Sequence, residues 1–186
     1  DSSIAQYKRS YLQVLIKYNK ALKQRNALLK QFLEKEFFDE TTLEIYDKQL
    51  VEYGNEIYRE RKDFLKKLSP VFNKYYAIIS QGNESVSLEH KSQLNESTFD
   101  KLIIQSRARD RITKSTQVGA HKDDVLFKME SRPIKKTGSQ GQQKSFLIAL
   151  KLAQFEFIKE TLGFKPILLL DDIFDKLDDH RILKLI

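Results

Sequence analysis

The residues best suited to chemistry lie between Thr137 and Asp179 and come in a fixed order. A Ser/Gly/Gln loop (Gly138, Ser139, Gln140, Gly141, Gln142) opens a stretch with helical apolar spacing. An all-apolar run over 167–170 then ends in two adjacent carboxylates, Asp171 and Asp172, and a turn carrying Leu177 and Asp178 leads into a last helical stretch. Each part has a physical role at a nucleotide. A glycine loop that opens a helix turns backbone N–H groups and the positive end of the helix dipole toward a phosphate. The Ser139 hydroxyl and the Gln142 amide could add hydrogen bonds to its oxygens. A buried strand that delivers acid at its C-terminal end sets one carboxylate at Mg²⁺ and the next beside an attacking water.

These residues need elements to position them. From residue 2 to about 35, Ile4, Tyr7, Tyr11, Val14, Tyr18, Ala21, Arg25, Leu28 and Phe32 recur at steps of three and four, the seam of one helix. Thr41 to Glu44 reads as a capping box, and a second seam follows at Leu43, Tyr46, Leu50, Tyr53, Ile57, Arg61, Phe64 and Leu68. The acidic turn at Phe38, Asp39 and Glu40 joins the two into an antiparallel helical hairpin over 2–69. Arg25 and Arg61 are polar guests in these seams, placed either to fix register or to pack their stems and snorkel their heads into water. Ser69-Pro70 is expected to stop the second helix and start a third that runs to about Ser80. A strand over 85–90 follows, then a helix over 98–112 capped by Ser97, and strands over 116–118 and 125–129 flanking a turn at Gly119–Asp124. A basic loop over 131–136 leads to the helix over 142–161, ended by Gly163, and Pro166 admits the apolar strand. Helix, strand and helix in that order indicate α/β layering over 115–186, beside a helical arm over 1–114.

Composition narrows the classes. With 186 residues, 40% of them hydrophobic, one or two modest cores can form. Charged residues reach 32% with both signs interleaved, which suits long solvated helices. A net charge of +7 favours an acidic partner such as nucleic acid. Cysteine is absent, which excludes disulfides and thiolate metal sites and agrees with a cytoplasmic protein. No apolar run of about 18 residues or more occurs, so no helical membrane span is expected.

The motifs carry a resemblance. The loop 138–142 resembles a degenerate LSGGQ signature of ABC-type ATPases, Leu168-Leu169-Leu170-Asp171-Asp172 their Walker B strand, and Lys176-Leu177-Asp178 their D-loop. The wording SQGQQKSFLIALKLAQ followed by PILLLDDIFDKLDDHR is similar to the RecF family of bacterial recombination-mediator ATPases. Two more stretches, Gln24–Lys30 and Gly119–Asp124, fit the same family, which usually carries Pro at the place of Ala120 and Arg at that of Lys122. A P-loop, G-x-x-x-x-G-K-[ST], does not occur among the six glycines. With Asp1 not an initiator methionine and no following switch strand, the chain is expected to be an internal fragment: an antiparallel helical hairpin arm plus a partial ABC-type α/β ATPase lobe.

The resemblance implies a mechanism. ATP would lie between one protomer's Walker A and the signature loop of a second copy, so Ser139, Gln140, Gly141 and Gln142 would touch ATP held by a partner in an ATP-dependent homodimer. Asp171 would coordinate Mg²⁺, Asp172 would stand where a catalytic glutamate is usual, and Asp178 would act across the dimer interface. Double-stranded, gapped DNA and mediators of the RecR and RecO type are the implied partners, and the shorter reach of Asp172 suggests slow hydrolysis. Arg107, Arg109, Arg111 and Lys114 make one helix end basic, either as a solvated terminus or as a phosphate contact. His121 beside Asp123 and Asp124 invites a metal reading, but ligands on one tight turn rarely converge, and the turn is expected to shape the interior or a nucleotide-facing edge. His90 and His180 are expected at the surface. A pure interaction module without nucleotide, and an SMC-type head, are the alternatives. Arms of roughly 30 residues, about 45 Å long, argue against the latter.

Overall fold

The computed structural model describes residues 1–35, 37–82 and 84–169. Two compact units are present, one built from Ser3–Lys62 and His90–Asp124, the other from Asp63–Glu89 and the residues from Val125 onward. Each unit therefore draws segments from both sides of residue 114.

In the first unit, α1 (Ser2–Tyr7) and α2 (Arg9–Glu34) face the first part of α3 (Glu40–Ser80). A single helix over 2–35 was the expectation. Instead Lys8 leaves helical geometry (φ −129°, ψ 90°), and its ammonium reaches Glu60 at 2.7 Å. Contacts run in opposite chain directions, Lys8 with Glu60 and Arg25 with Asp47, so the hairpin is antiparallel. On α2 the buried seam is Tyr11, Val14, Tyr18, Ala21, Arg25, Leu29 and Phe32, close to the periodicity of the sequence. On α3 it steps through Asp47 and Gly54 rather than Tyr46 and Tyr53. Both departures have local causes. Asp47 is neutralised by Arg25, and a side chain at Gly54 would come within 2.4 Å of Phe99 and 3.1 Å of Tyr18. The start of α3 is held by Asp39, whose carboxylate accepts from the Thr42 backbone N–H and hydroxyl, in place of the expected Thr41–Glu44 box.

α4 (Phe99–Thr113) packs on α2. The strand expected over 116–118 does not form, because its hydrogen bonds go to side chains. The Thr116 N–H donates to Asn26 Oδ1 at 2.8 Å, and the Gln117 N–H donates to Asp110 Oδ1 at 2.9 Å.

In the second unit α3 runs through Pro70 without a break, against the expected stop. Ser69 is not a cap here. Its hydroxyl donates to the Leu65 carbonyl at 2.7 Å, and Leu65, Leu68, Phe72, Tyr76 and Ile79 keep one buried seam on either side of the proline. Burial along that face outweighs the lost backbone bond, which costs about 3 kcal/mol. A three-stranded sheet has the order β1 (Val86–Lys91), β2 (Asp124–Met129), β3 (Arg132–Pro133), with β2 and β3 antiparallel and Lys128 opposite Pro133. The expected basic loop is β3 followed by a short helix, α5 (Ile134–Thr137), anchored by buried Ile134. α6 (Gln140–Leu162) packs by Phe146 on Phe72 (4.7 Å between ring centroids) and by Phe157 on Phe64 (5.2 Å), and ends at Gly163 with φ 72°. The apolar run expected as a strand is irregular over 165–169, with Ile167 and Leu169 90% and 87% exposed. A strand needs a ladder partner, and none of β1–β3 is one to it. Helical hairpin and partial α/β lobe nonetheless match the fold class expected from the sequence.

The Arg25 side chain is fully buried between the carboxylates of Asp47 (2.6 Å) and Asp110 (2.7 Å). Arg25→Met leaves Asp110 without a cation in the core and Asp47 with Arg107 alone, and should lower the unfolding free energy by about 3–5 kcal/mol. Urea denaturation measures this, and a loss below about 1 kcal/mol would show that the pair is not structurally required.

Candidate functional site

The expected signature loop is the N-terminus of α6. Ser139 is its N-cap: the hydroxyl accepts from the Gln142 N–H at 3.2 Å, while the Gln142 side-chain oxygen accepts from the Ser139 N–H at 2.7 Å. This reciprocal box leaves the N–H groups of Gln140 and Gly141 without an intrahelical acceptor. Ser139 and Gln140 are exposed, Gly141 partly so. Gly138 is sterically required, because a side chain there would lie 2.9 Å from the Ile134 carbonyl. Gly141 is not: its nearest contact would be Ser139 Oγ at 3.9 Å. Lys135 and Lys136, both exposed, precede the loop. The arrangement can receive an anion at an open, positively polarised helix end.

Gln142 is less free than the sequence suggested. Its amide nitrogen donates to Glu84 Oε1 at 2.7 Å, and the other Glu84 oxygen accepts from the Tyr76 hydroxyl. Glu84 carries no sequence signal for this role, since it lies in a turn 58 residues away. Asp171, Asp172 and Asp178 lie outside the described residues, as do Leu170 and His180.

The Gly119–Asp124 turn lies partly inside the first unit, with Gly119 and Ala120 buried and Lys122 and Asp124 exposed. Arg61 donates to the Ala120 carbonyl at 2.6 Å, to Asp123 at 2.9 Å, and to both Asp1 carboxylate oxygens at 2.9 and 2.8 Å. Gly119 has φ 117°, and a side chain on it would strike Phe99 at 2.4 Å. His121 Nε2 lies 3.0 Å from the Thr116 carbonyl, which can only accept, so that nitrogen carries the proton and Nδ1 accepts from the Tyr18 hydroxyl at 2.8 Å. Both ring nitrogens are thereby used, and no cluster of three metal-type ligands occurs among the described residues. His90, expected at the surface, is half-buried with its side chain only 7% exposed, and its Nε2 donates to Asp123 Oδ2 at 3.2 Å. His90 follows Val86 and Leu88 at steps of two, the inward register of β1, so the alternation of that strand was the signal that could have found it.

The basic end of α4 divides. Arg107 is turned onto Asp47 (3.0 Å) and Glu40, so its charge is spent inside the unit. Arg111 lies over the Phe38 ring, 4.2 Å from its centroid, while Arg109 and Lys114 are exposed.

A helical hairpin, a three-stranded sheet and a long helix opened by a capping box make up the described residues. No family model matches the chain. Over all 186 residues it is 52% identical to the DNA replication and repair protein RecF of Flavobacterium johnsoniae and 45% identical to that of Cytophaga hutchinsonii, covering 52% and 49% of those proteins. Two solved structures of the recombination mediator protein RecF in the RecFOR pathway, one with ATP and one with ATPrS, are 34% identical. They align with TM-scores of 0.87 and 0.89 over 98% and 100% of this chain and 52% and 53% of theirs. The chain belongs to the RecF family, and it spans about half the length of the curated relatives it matches.

Two titrations follow from the turn. Burial, above all, lowers the His121 pKa from its ordinary 6.5. Burial pushes the Asp123 carboxyl up, but hydrogen bonds from His90, Ser92 and Arg61 together outweigh it and hold the pKa below 3.8. In both cases the unfolded chain takes up the proton first on acidification, so stability present at neutral pH is lost as pH falls. The loss begins below 6.5 for His121 and below 3.8 for Asp123. His121→Gln should flatten the fall in stability just below pH 6.5. Denaturation midpoints against pH measure it, and unchanged slopes would contradict the assignment.

Proposed function

We propose that this chain supplies the arm and the signature-bearing part of an ATP-dependent DNA-binding repair protein, in which ATP is sandwiched between two copies. What carries the reading is the open N-terminus of α6, where among the described residues only Ser139 Oγ, at 3.9 Å, comes near the space that Gly141 leaves. Ser139, Gln140 and Gly141 would present N–H and hydroxyl groups to the terminal phosphate of ATP bound by the partner copy, with Gln142, braced by Glu84, setting the loop. Asp171 would hold Mg²⁺ and Asp172 would orient the attacking water, giving slow hydrolysis in the intact protein; Asp178 would act across the interface. With no P-loop in the sequence, the chain by itself would be inactive. The names of its relatives support the DNA-repair assignment, and mediators of the RecR and RecO type and gapped duplex DNA are the partners we assign. No described helix is long and apolar enough to cross a membrane, which agrees with the cytoplasmic placement we assign.

In the intact protein, Ser139→Arg places a bulky cation at the phosphate position. It should abolish ATP-dependent dimerisation while leaving the fold intact; sedimentation with and without ATP decides, and an unchanged dimer would sink the reading. For DNA, Arg109 and Lys114 are the free cations of the α4 end, and their joint replacement by Ala should weaken duplex binding and reduce the slope of affinity against salt by about 1 to 2. An unaltered slope would return them to the role of a solvated helix end.

A further inference from the structure

We infer that the turn of the hairpin carries a docking pocket for an acidic segment of a partner protein that presents one large apolar side chain. Leu29, Phe32, Leu33, Phe37, Phe38 and Arg111 line a cavity of about 220 Å³ at this turn. Its floor is well built. Leu29 and Phe32 are buried with Leu43, and Phe38 meets Phe32 edge to face with 5.1 Å between ring centroids. Its lip is apolar yet left in water: Leu33 is 51% exposed and Phe37 63%. Apolar surface gathered around a concavity and rimmed by charge marks an interaction site more often than chance exposure does. The size suits one Leu or Phe side chain, since a cavity of about 150 Å³ accepts benzene.

Charge selects the occupant. Among the described acids of the turn, Glu40 pairs with Arg107 and Asp39 accepts from Thr42, and neither lines the cavity. The exposed Glu34 and Lys35 offset one another. The charged side chain among those lining the cavity is Arg111, whose guanidinium lies 4.2 Å from the centre of the Phe38 ring, with exposed Arg109 and Lys114 on the same helix end. A guanidinium fixed on a ring is pre-oriented to take a carboxylate in two parallel hydrogen bonds. An apolar floor beside such a lip fits a Leu or Phe flanked by Asp or Glu. Single-stranded nucleic acid fits less well, because base stacking needs an open ring face and Arg111 covers that of Phe38. The inference stands apart from the nucleotide reading, since every residue it uses belongs to the first unit.

The test selects from a displayed library of random short peptides on the intact protein and then measures the enriched peptides by fluorescence anisotropy. The expected winners carry Leu or Phe next to Asp or Glu. Their affinity should fall about tenfold or more with Arg111→Glu and with Leu33→Glu, and stay unchanged with Arg59→Glu on exposed surface of α3. Leu33 and Arg111 are exposed, so both variants should fold, and a thermal melt checks this. Enriched peptides lacking that pattern, equal binding to the variants, or a thymidine oligonucleotide that displaces the peptide and binds more tightly would each overturn the proposal.

Discussion

A guanidinium with no access to water must be met by carboxylates, and the first unit is arranged around meeting that demand for Arg25. One carboxylate comes from α3 (Asp47) and one from α4 (Asp110), and the Thr116 hydroxyl adds a third contact at 2.8 Å. Each acid has further partners: Asp47 takes Arg107, and Asp110 takes Ser106 and the Gln117 N–H. One side chain of α2 thereby sets the register of the hairpin, the position of α4 on it, and the path of the chain beyond α4. A buried ion pair contributes less to net stability than its geometry suggests, since desolvation cancels much of the attraction. Its stronger effect is on specificity. A shifted register would leave Arg25 and Asp110 buried without a matching charge.

That constraint explains where reading the sequence succeeded and where it did not. Spacing of apolar residues was enough to locate both helices of the hairpin and to place Arg25 on the seam. It could not show that Asp47 and Gly54, neither of them apolar, occupy the facing seam. Asp47 belongs there only because Arg25 does, and Gly54 only because Phe99 and Tyr18 need its missing side chain. The same limit applies to Pro70, where a local stop signal lost to continuous burial on both sides, and to residues 116–118, where Asn26 and Asp110 took the hydrogen bonds of the expected strand. In each case burial, or a side chain distant in sequence, outweighed the local propensity of the segment.

At the candidate site the local signal was strong because the chemistry is local. A Ser three residues before a Gln is both a capping box and part of a signature-like loop, and the two roles share one geometry. The cap rigidifies the helix start and leaves the outermost N–H groups directed outward. Glu84, which braces Gln142, was illegible because it comes from another part of the second unit. His90 and Arg61 were similarly hidden, for their importance lies in the Asp123 carboxylate they share.

The central claim is that this chain holds one side of a nucleotide site whose other side belongs elsewhere in the intact protein. Titration of a fluorescent ATP analogue with Mg²⁺ into the 186-residue chain and, in parallel, into the intact protein tests it most directly. The account predicts saturable binding by the intact protein and none by the chain alone. Saturable micromolar binding by the chain alone would contradict it, because a complete pocket would then exist within these residues.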